Sequence, residues 1–280
     1  MLTMTEKVLG LEEIHQELLV LLREFNRVCE KLEITYYLSG GSMIGAVRHK
    51  GFIPWDDDLD LMMMRKDYEK LIDNVSELNS KYRMNCLELT PNWQYPFAKI
   101  DLPTTFIKDE FRVVQHGLFL DIFPIDMLPD DEKLQNKITK KVKFLDLLRG
   151  SGTKKKFRPS EQHQGLKKVI KPYADFRGPN YYAKKIDSYA KKINSENSDS
   201  HTSGVMVVST HGTKEFLPKS AFSEKIEVEF EGEKSYLPLG YKNYLGNLYG
   251  DYMKLPPVEQ QVPAHYKIYE NTDEENASND

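Results

Sequence analysis

Cysteine is scarce in this 280-residue chain. Cys29 and Cys86, each set in an apolar pattern, are too few for a disulfide framework or a cysteine-rich zinc site, so both are expected to be buried free thiols. Long apolar runs are missing as well. The longest near the start, Leu18–Leu22, falls far short of the ~20 residues that span a bilayer. Glu6, Glu12 and Glu13 stand where a secretory signal needs a basic start and an apolar stretch, which predicts a cytoplasmic protein. Seven histidines are scattered without close ligand spacing, so zinc is not implied. Nor is there an excess of positive charge: 39 Lys and Arg against 43 Asp and Glu give a net charge of −4 and no general pull toward nucleic acid.

What is present fits an ordinary globule, 40% hydrophobic and 29% charged, long enough to bury about three quarters of its unfolded surface. Charge is uneven along it. Between Lys133 and Lys171 there are 13 Lys or Arg against two acids, Asp146 and Glu161, while Asp273–Asp280 reads as a flexible acidic tail. The basic stretch lacks the interleaved aromatics of a nucleic-acid site.

Ile14, Leu18, Leu22, Phe25, Val28, Cys29 and Leu32 recur at spacings of three and four, which predicts a core-facing helix over 10–33. Strand patterns follow at Thr35–Leu38 and Leu59–Met63, a helical period at Lys66–Asn79, then strands at Tyr82–Leu89, Gln94–Asp101, Thr104–Lys108 and Leu118–Phe123. This order predicts an α+β fold, a sheet with flanking helices. Leu134, Ile138, Val142, Leu145 and Leu148 make a helical stripe over Asp131–Arg149. Beside it, Lys154–Lys156 and Arg158 extend a basic face that either is solvated or rests on an anionic membrane surface. Gly150–Gly165 and Asn194–Gly204 read as loops.

The stretch YYLSGGSMIGAVRHKGFIPWDDDLDLMMMR (36–65) joins a small-residue turn to an acidic run that ends in apolar residues. Alternate strand side chains share a face, so Asp58 and Asp60 project together, with Asp56 on the same side, Asp57 turned away, and Leu59 and Leu61 directed to the core. Carboxylates held that close need a cation, and hard oxygen ligands suit Mg²⁺ or Mn²⁺, which complete their shells with water and substrate phosphates. Gly41 and Ser42 can bring backbone N–H and hydroxyl groups to a phosphate, with Arg48 and Lys50 following. Asp121 lies within an apolar strand pattern, where a carboxylate is hard to justify as packing. It is the third candidate ligand or the base for an acceptor hydroxyl, with Asp126 as competitor.

Gly41–Asp60 resembles the LicD family, as do Tyr95-Pro-Phe-Ala-Lys99-Ile, Asp121-Ile-Phe-Pro-Ile-Asp126 and Tyr249-Gly-Asp-Tyr-Met-Lys-Leu-Pro-Pro257. The resemblance spans about 10–270 and is weakest over 130–210, where nothing specific stands out. It implies a nucleotidyltransferase-like core over 1–130. The remainder, 131–270, then forms a basic helical insertion and a Tyr-rich lobe packed on that core, with a tail at 271–280. It further implies transfer of phosphorylcholine from CDP-choline to a sugar of a bacterial surface glycopolymer precursor, of teichoic acid or lipopolysaccharide type, with transfer of another phospho-group such as ribitol or glycerol phosphate from a CDP donor as the alternative. Lys99 becomes a phosphate clamp on this resemblance. A choline headgroup needs aromatic faces, and Trp93, Tyr244, Tyr249 and Tyr252 are the candidates, seven of the 16 tyrosines falling between Tyr236 and Tyr269. An Asp-x-Asp glycosyltransferase and a non-catalytic binding module are the competing classes.

Overall fold

The amphipathic period that opens near residue 10 folds into α1 (Leu11–Lys31), which buries Ile14, Leu18, Leu22, Phe25, Val28 and Cys29. Its start is closed by Glu13, whose carboxylate accepts from the Gly10 N–H at 2.8 Å. The computed structural model describes residues 5–157, 164–262 and 267–272. In the first half, β1 (Thr5–Val8) precedes α1. After it come β2 (Tyr37–Leu38), α2 (Gly40–Ile44, running on as a π-turn to His49), β3 (Asp60–Met64), α3 (Arg65–Asp73), β4 (Arg83–Asn85), β5 (Ala98–Leu102), β6 (Thr105–Ile107) and β7 (Leu118–Leu128). The second half contains α4 (Glu132–Gly152), α5 (Gln164–Arg177), α6 (Pro179–Glu196), β8 (Thr202–Val205), β9 (Phe216–Pro218), β10 (Lys225–Phe230), β11 (Glu233–Pro238), α7 (Tyr241–Tyr249) and β12 (Ile268–Thr272).

The fold is α+β. A mixed sheet runs in the order β2-β3-β7-β5-β4, with β8 and then β9 added along the C-terminal end of β7. Only the β3–β7 pair in this path is parallel. A second sheet, β1-β12-β6, ties the two ends of the described chain together, and β10 and β11 form a hairpin. That hairpin docks on α1, where Asn26 Nδ2 donates to the Lys234 carbonyl at 2.7 Å.

Three expectations shift for physical reasons. β7 continues through Pro124 to Leu128, because the missing N–H falls between its pairing with β5, which ends at Ile122, and with β8, which begins at Ile125. The helix expected over Lys66–Asn79 ends at Asp73 and leaves a 3₁₀ turn at Val75–Glu77. The segments read as loops at 150–165 and 194–204 are shorter than expected: 150–152 complete α4, 164–165 open α5, 194–196 complete α6 and 202–204 enter β8, while 153–157 and 197–201 are irregular and 158–163 lie outside the described residues. Helix dominates 132–196, whereas 202–238 is mostly strand. Arg158 and the acidic tail at 273–280 lie outside the described residues.

The stripe of α4 is engaged by the core: Ile138, Val142 and Leu148 are buried. Leu134, at the start of the stripe, and Phe144 stay exposed, as do Val169, Tyr173 and Phe176 of α5, which follow one another at helical spacing.

Asp126 corrects an expectation. It is wholly buried in β7 and grips Arg65 of α3 through two hydrogen bonds, from Nε at 2.7 Å and Nη2 at 2.8 Å. Arg65 Nη1 also donates to Asp187 of α6 at 2.9 Å, and Lys191 bridges Asp187 to Glu88. The network pins helix α6 to the sheet, and Asp126 serves packing rather than catalysis. Asp126→Ala leaves the Arg65 cation buried without its fork, so urea unfolding is expected to show a loss of about 3–5 kcal/mol. A loss below about 1 kcal/mol, the scale of an exposed pair, contradicts this role.

Candidate metal and phosphate site

Parallel pairing of β3 with β7 sets Asp60 beside Asp121, and antiparallel pairing of β7 with β5 sets Asp121 beside Lys99. Three charged residues therefore stand in one row across adjacent strands, separated by the strand spacing of about 4.8 Å. Lys99, almost fully buried, hydrogen-bonds Asp121 Oδ1. Its ammonium also lies 3.5 Å from the centre of the Phe119 ring and 4.9 Å from that of Tyr95. Lys99 thus neutralises the acid row rather than standing apart from it as a phosphate clamp.

The small-residue turn fixes this row from below. Ser39 N–H donates to the Asp60 carbonyl, and Asp60 N–H donates to Ser42 Oγ, both at 2.8 Å. Ser42 is buried, with its hydroxyl engaged by backbone, so it positions Asp60 and is not placed for a phosphate. The glycines make room for the acids. Gly40 has φ +49°, and a Cβ there meets Asp60 Oδ2 at 3.3 Å; a Cβ on Gly41 meets Asp56 Oδ2 at 2.9 Å. From α1, His15 Nε2 donates to the Asp56 carbonyl at 2.6 Å while its ring stacks on Phe52 at 4.1 Å.

Asp56, Asp57 and Asp58 precede β3 in irregular backbone, and one carboxylate oxygen of each lies within 4.8 Å of the others. Strand alternation therefore does not hold before Asp60. Asp57, expected to turn away, is buried and belongs to this group. Burial, then the neighbouring Asp58 and Asp121 carboxylates, push the Asp60 carboxyl well above the ordinary carboxylate range, against the pull of Lys99. Crowded hard oxygens with so much mutual repulsion have the donor chemistry of a Mg²⁺ or Mn²⁺ site, with Asp58 common to the Asp56–Asp58 group and to the cavity wall.

Asp58, Asp60 and Asp121 form one wall of a cavity of about 500 Å³. Lys99, Arg112, Arg149 and Lys154 bring cationic groups to the same space. Arg149 is aimed by two bonds, to Asp146 Oδ1 at 2.7 Å and to the Gln94 carbonyl at 3.1 Å. His116 donates from Nδ1 to the Gly117 carbonyl, and burial holds its pKa well below the usual histidine value, so it is a neutral lining residue. A second lobe of about 330 Å³, lined by Glu215, Tyr244 and Tyr249, shares Asp60 and Phe123 with the first. Asp60 thus stands where the two lobes meet.

Several sequence-derived assignments move. Arg48 donates to the carbonyls of Tyr252 and Lys254, fastening the C-terminal segment instead of facing the cavity. Trp93 is fully buried, its indole N–H donating to the Phe97 carbonyl at 2.9 Å, and it backs Tyr95 without lining either lobe. Tyr252 packs partly buried against the core. Tyr244 and Tyr249 do line the second lobe. Sequence reading missed Arg112, Arg149 and Glu215, which lie far apart in the chain and carry no local motif; the Tyr95-x-Phe97-x-Lys99 alternation was the one legible sign of the aromatic shell around Lys99.

The family model described as LicD/FKTN/FKRP, nucleotidyltransferase domain, matches residues 33–157. The lipopolysaccharide cholinephosphotransferase LicD of Haemophilus influenzae is 34% identical over 263 residues, covering 92% of this chain and 97% of that protein. The ribitol 5-phosphate transferase FKRP of Homo sapiens is 48% identical over 40 residues, 14% of this chain and 8% of its own length.

Between the ordinary carboxylate value and its raised value in the fold, Asp60 holds more proton folded than unfolded, so its ionisation lowers stability as pH rises through that interval. A divalent ion relieves the repulsion that ionisation creates. The gain in melting temperature on adding Mg²⁺ or Mn²⁺ is therefore expected to be larger at pH 8 than at pH 5, and to shrink in Asp60→Asn. Equal gains at both pH values, read by thermal unfolding, contradict the site.

Proposed function

Because the chain belongs to the LicD family, we propose that it is a phosphorylcholine transferase that takes the group from CDP-choline and delivers it to a sugar hydroxyl of a surface glycopolymer precursor such as lipopolysaccharide. The observation that carries this reading is the single cavity in which Asp58, Asp60 and Asp121 face Lys99, Arg112 and Arg149. Phosphoryl transfer needs little covalent help from a protein; it needs the phosphates held, their charge neutralised and the nucleophile aligned. Asp58, grouped with Asp56 and Asp57 and lining the cavity with Asp60, is assigned to hold Mg²⁺ or Mn²⁺, which when bound would neutralise charge on the diphosphate.

The chain's own groups divide the remaining work. Arg112, Arg149 and Lys154 receive the anionic donor, Arg149 presenting a guanidinium already oriented by Asp146. The acceptor oxygen forms a bond to the phosphorus that carries choline, the bond from that phosphorus to the bridging oxygen breaks, and CMP leaves. The hydroxyl proton passes to Asp121, the acid in the row that remains a candidate base once Asp126 is committed to Arg65. Lys99, paired with Asp121, keeps positive charge next to the forming and breaking bonds.

A second reading, transfer of ribitol phosphate from a CDP donor, has the local similarity to FKRP in its favour. For the acceptor, a lipid-linked sugar fits the basic surface, and α5, with Val169, Tyr173 and Phe176 exposed, takes the membrane-facing role that the sequence assigned to residues 133–171. No helix among the described residues is long and apolar enough to cross a membrane.

With Mg²⁺ and a sugar acceptor, CDP-choline is expected to yield CMP and a phosphorylated acceptor. Asp58→Asn and Asp60→Asn are each expected to lower kcat by at least about 10³-fold, the scale of losing an electrostatic anchor at a reacting phosphate. Release of CDP with a lengthened glycan instead marks the sugar-transfer class, and full activity in both variants removes the metal-assisted mechanism.

A further inference from the structure

The two lobes that meet at Asp60 differ in charge. Lys99, Arg112, Arg149 and Lys154 line the larger one, while among the described residues no lysine or arginine lines the smaller. In their place the smaller lobe has Glu215, Phe123, Tyr244, Tyr249, Leu248 and Val208. Its histidine, His211, lies edge-on to Tyr249 with ring centres 5.5 Å apart; burial and Lys214 lower its pKa, so it brings no positive charge at neutral pH.

Glu215 sits on the short 3₁₀ turn Gly212–Glu215 and is 5% exposed. Its Oε2 has no hydrogen-bond partner among the described residues. A buried carboxyl left in that state costs free energy that packing does not return. The neighbouring Tyr244 hydroxyl, within 3.1 Å of Ser39 Oγ, also reaches this carboxyl but leaves Oε2 unanswered. Burial raises the Glu215 pKa to about 7, so its charge awaits a cation.

Resting on the phosphotransfer reading above, we propose that this lobe is the headgroup subsite, and that it takes a quaternary ammonium. Glu215 supplies the compensating charge, and Tyr249, Tyr244 and Phe123 supply aromatic faces around the methyl groups. A trialkylammonium has no hydrogen to donate and is held by just such a combination of ring faces and a buried carboxylate. A polyol headgroup has the opposite needs, several paired donors and acceptors; the hydroxyls of Ser39 and Tyr244 already face each other, leaving Thr210 and Tyr249 among the apolar Leu248, Val208 and Phe123. The position of Asp60 at the junction lets a donor diphosphate lie toward the cationic lobe while its headgroup enters the other.

The test is calorimetric titration of the full chain with Mg²⁺, using three probes: CDP-choline, CDP, and the CDP ester of 3,3-dimethylbutanol, in which carbon replaces the charged nitrogen. Wild type is expected to bind CDP-choline about tenfold or more tightly than the uncharged isostere, the scale of a desolvated cation–π site. Glu215→Gln should bring that ratio near one while CDP binds as before. Tyr249→Leu, at a side chain 40% exposed and so tolerant of change, should weaken CDP-choline and spare CDP; it carries the test if the Glu215 variant fails to fold. An unchanged ratio in the variants, or no preference for the charged probe in wild type while CDP still binds, overturns the subsite and leaves the phosphotransfer reading standing. Failure of CDP itself to bind overturns both.

Discussion

Like charges held side by side are the constraint on which this structure depends. Asp60 and Asp121 are neighbours because β3 and β7 pair in parallel in one register, and that register is not free to slip: a one-residue shift turns Leu61 to the cavity and Asp60 to the core. Leu59 and Leu61 are wholly buried, so the hydrophobic face enforces the electrostatic one. The rest of the local architecture holds the repelling groups in place. Ser39 and Ser42 fix the Asp60 backbone, Gly40 and Gly41 let carboxylates approach α2, His15 reaches across from α1, and Lys99 supplies a cation from the third strand.

Two buried charge systems share strand β7 and serve opposite ends. Around Asp126, Arg65 and Lys191 meet Asp187 and Glu88 in a network in which each named charge has a partner of opposite sign, and its work is to seat α3 and α6 on the sheet. Around Asp121, carboxylates outnumber the one buried ammonium, and the Asp60 carboxyl is driven upward as a result. Four residues lie between the two aspartates along one strand. The forked pair positions elements of the fold, whereas carboxylates crowded on one wall of a cavity perturb one another and attract a ligand cation.

Much of this was legible in the sequence, for identifiable reasons. The helical period of α1 and the apolar stripe of α4 survive into the structure because they are long and strictly spaced. Asp58, Asp60 and Asp121 were visible because acids interrupt apolar strand patterns, and Lys99 through the family resemblance of the stretch Tyr95–Ile100. Asp126 was misjudged for want of its partner: nothing local tells that Arg65, 61 residues earlier, will fork onto it. Asp57 was misjudged because strand alternation was extended into irregular backbone. Arg48 and Ser42 looked like phosphate ligands from position alone, yet the Arg48 guanidinium donates to the Tyr252 carbonyl and the buried Ser42 Oγ accepts from the Asp60 N–H. Glu215 was invisible, being a lone acid in a stretch without periodicity whose meaning is its burial.

The way the site is divided along the chain has a consequence for specificity. The acid row, Lys99, Arg112 and Arg149 all lie within residues 33–157, the segment matched by the nucleotidyltransferase family model, whereas Glu215, Tyr244 and Tyr249 lie outside it. Chemistry common to all phospho-group transfers, a neutralised diphosphate and a base, is thereby built on rigid sheet positions, where register controls geometry. Headgroup contacts come instead from a 3₁₀ turn and α7, elements that pack against the sheet without belonging to its ladder. Residues on such elements can change without disturbing the register of Asp60 and Asp121. A relative can therefore keep the reaction while exchanging the headgroup, and similarity confined to 40 residues, as with FKRP, speaks for the shared reaction far more than for the group transferred.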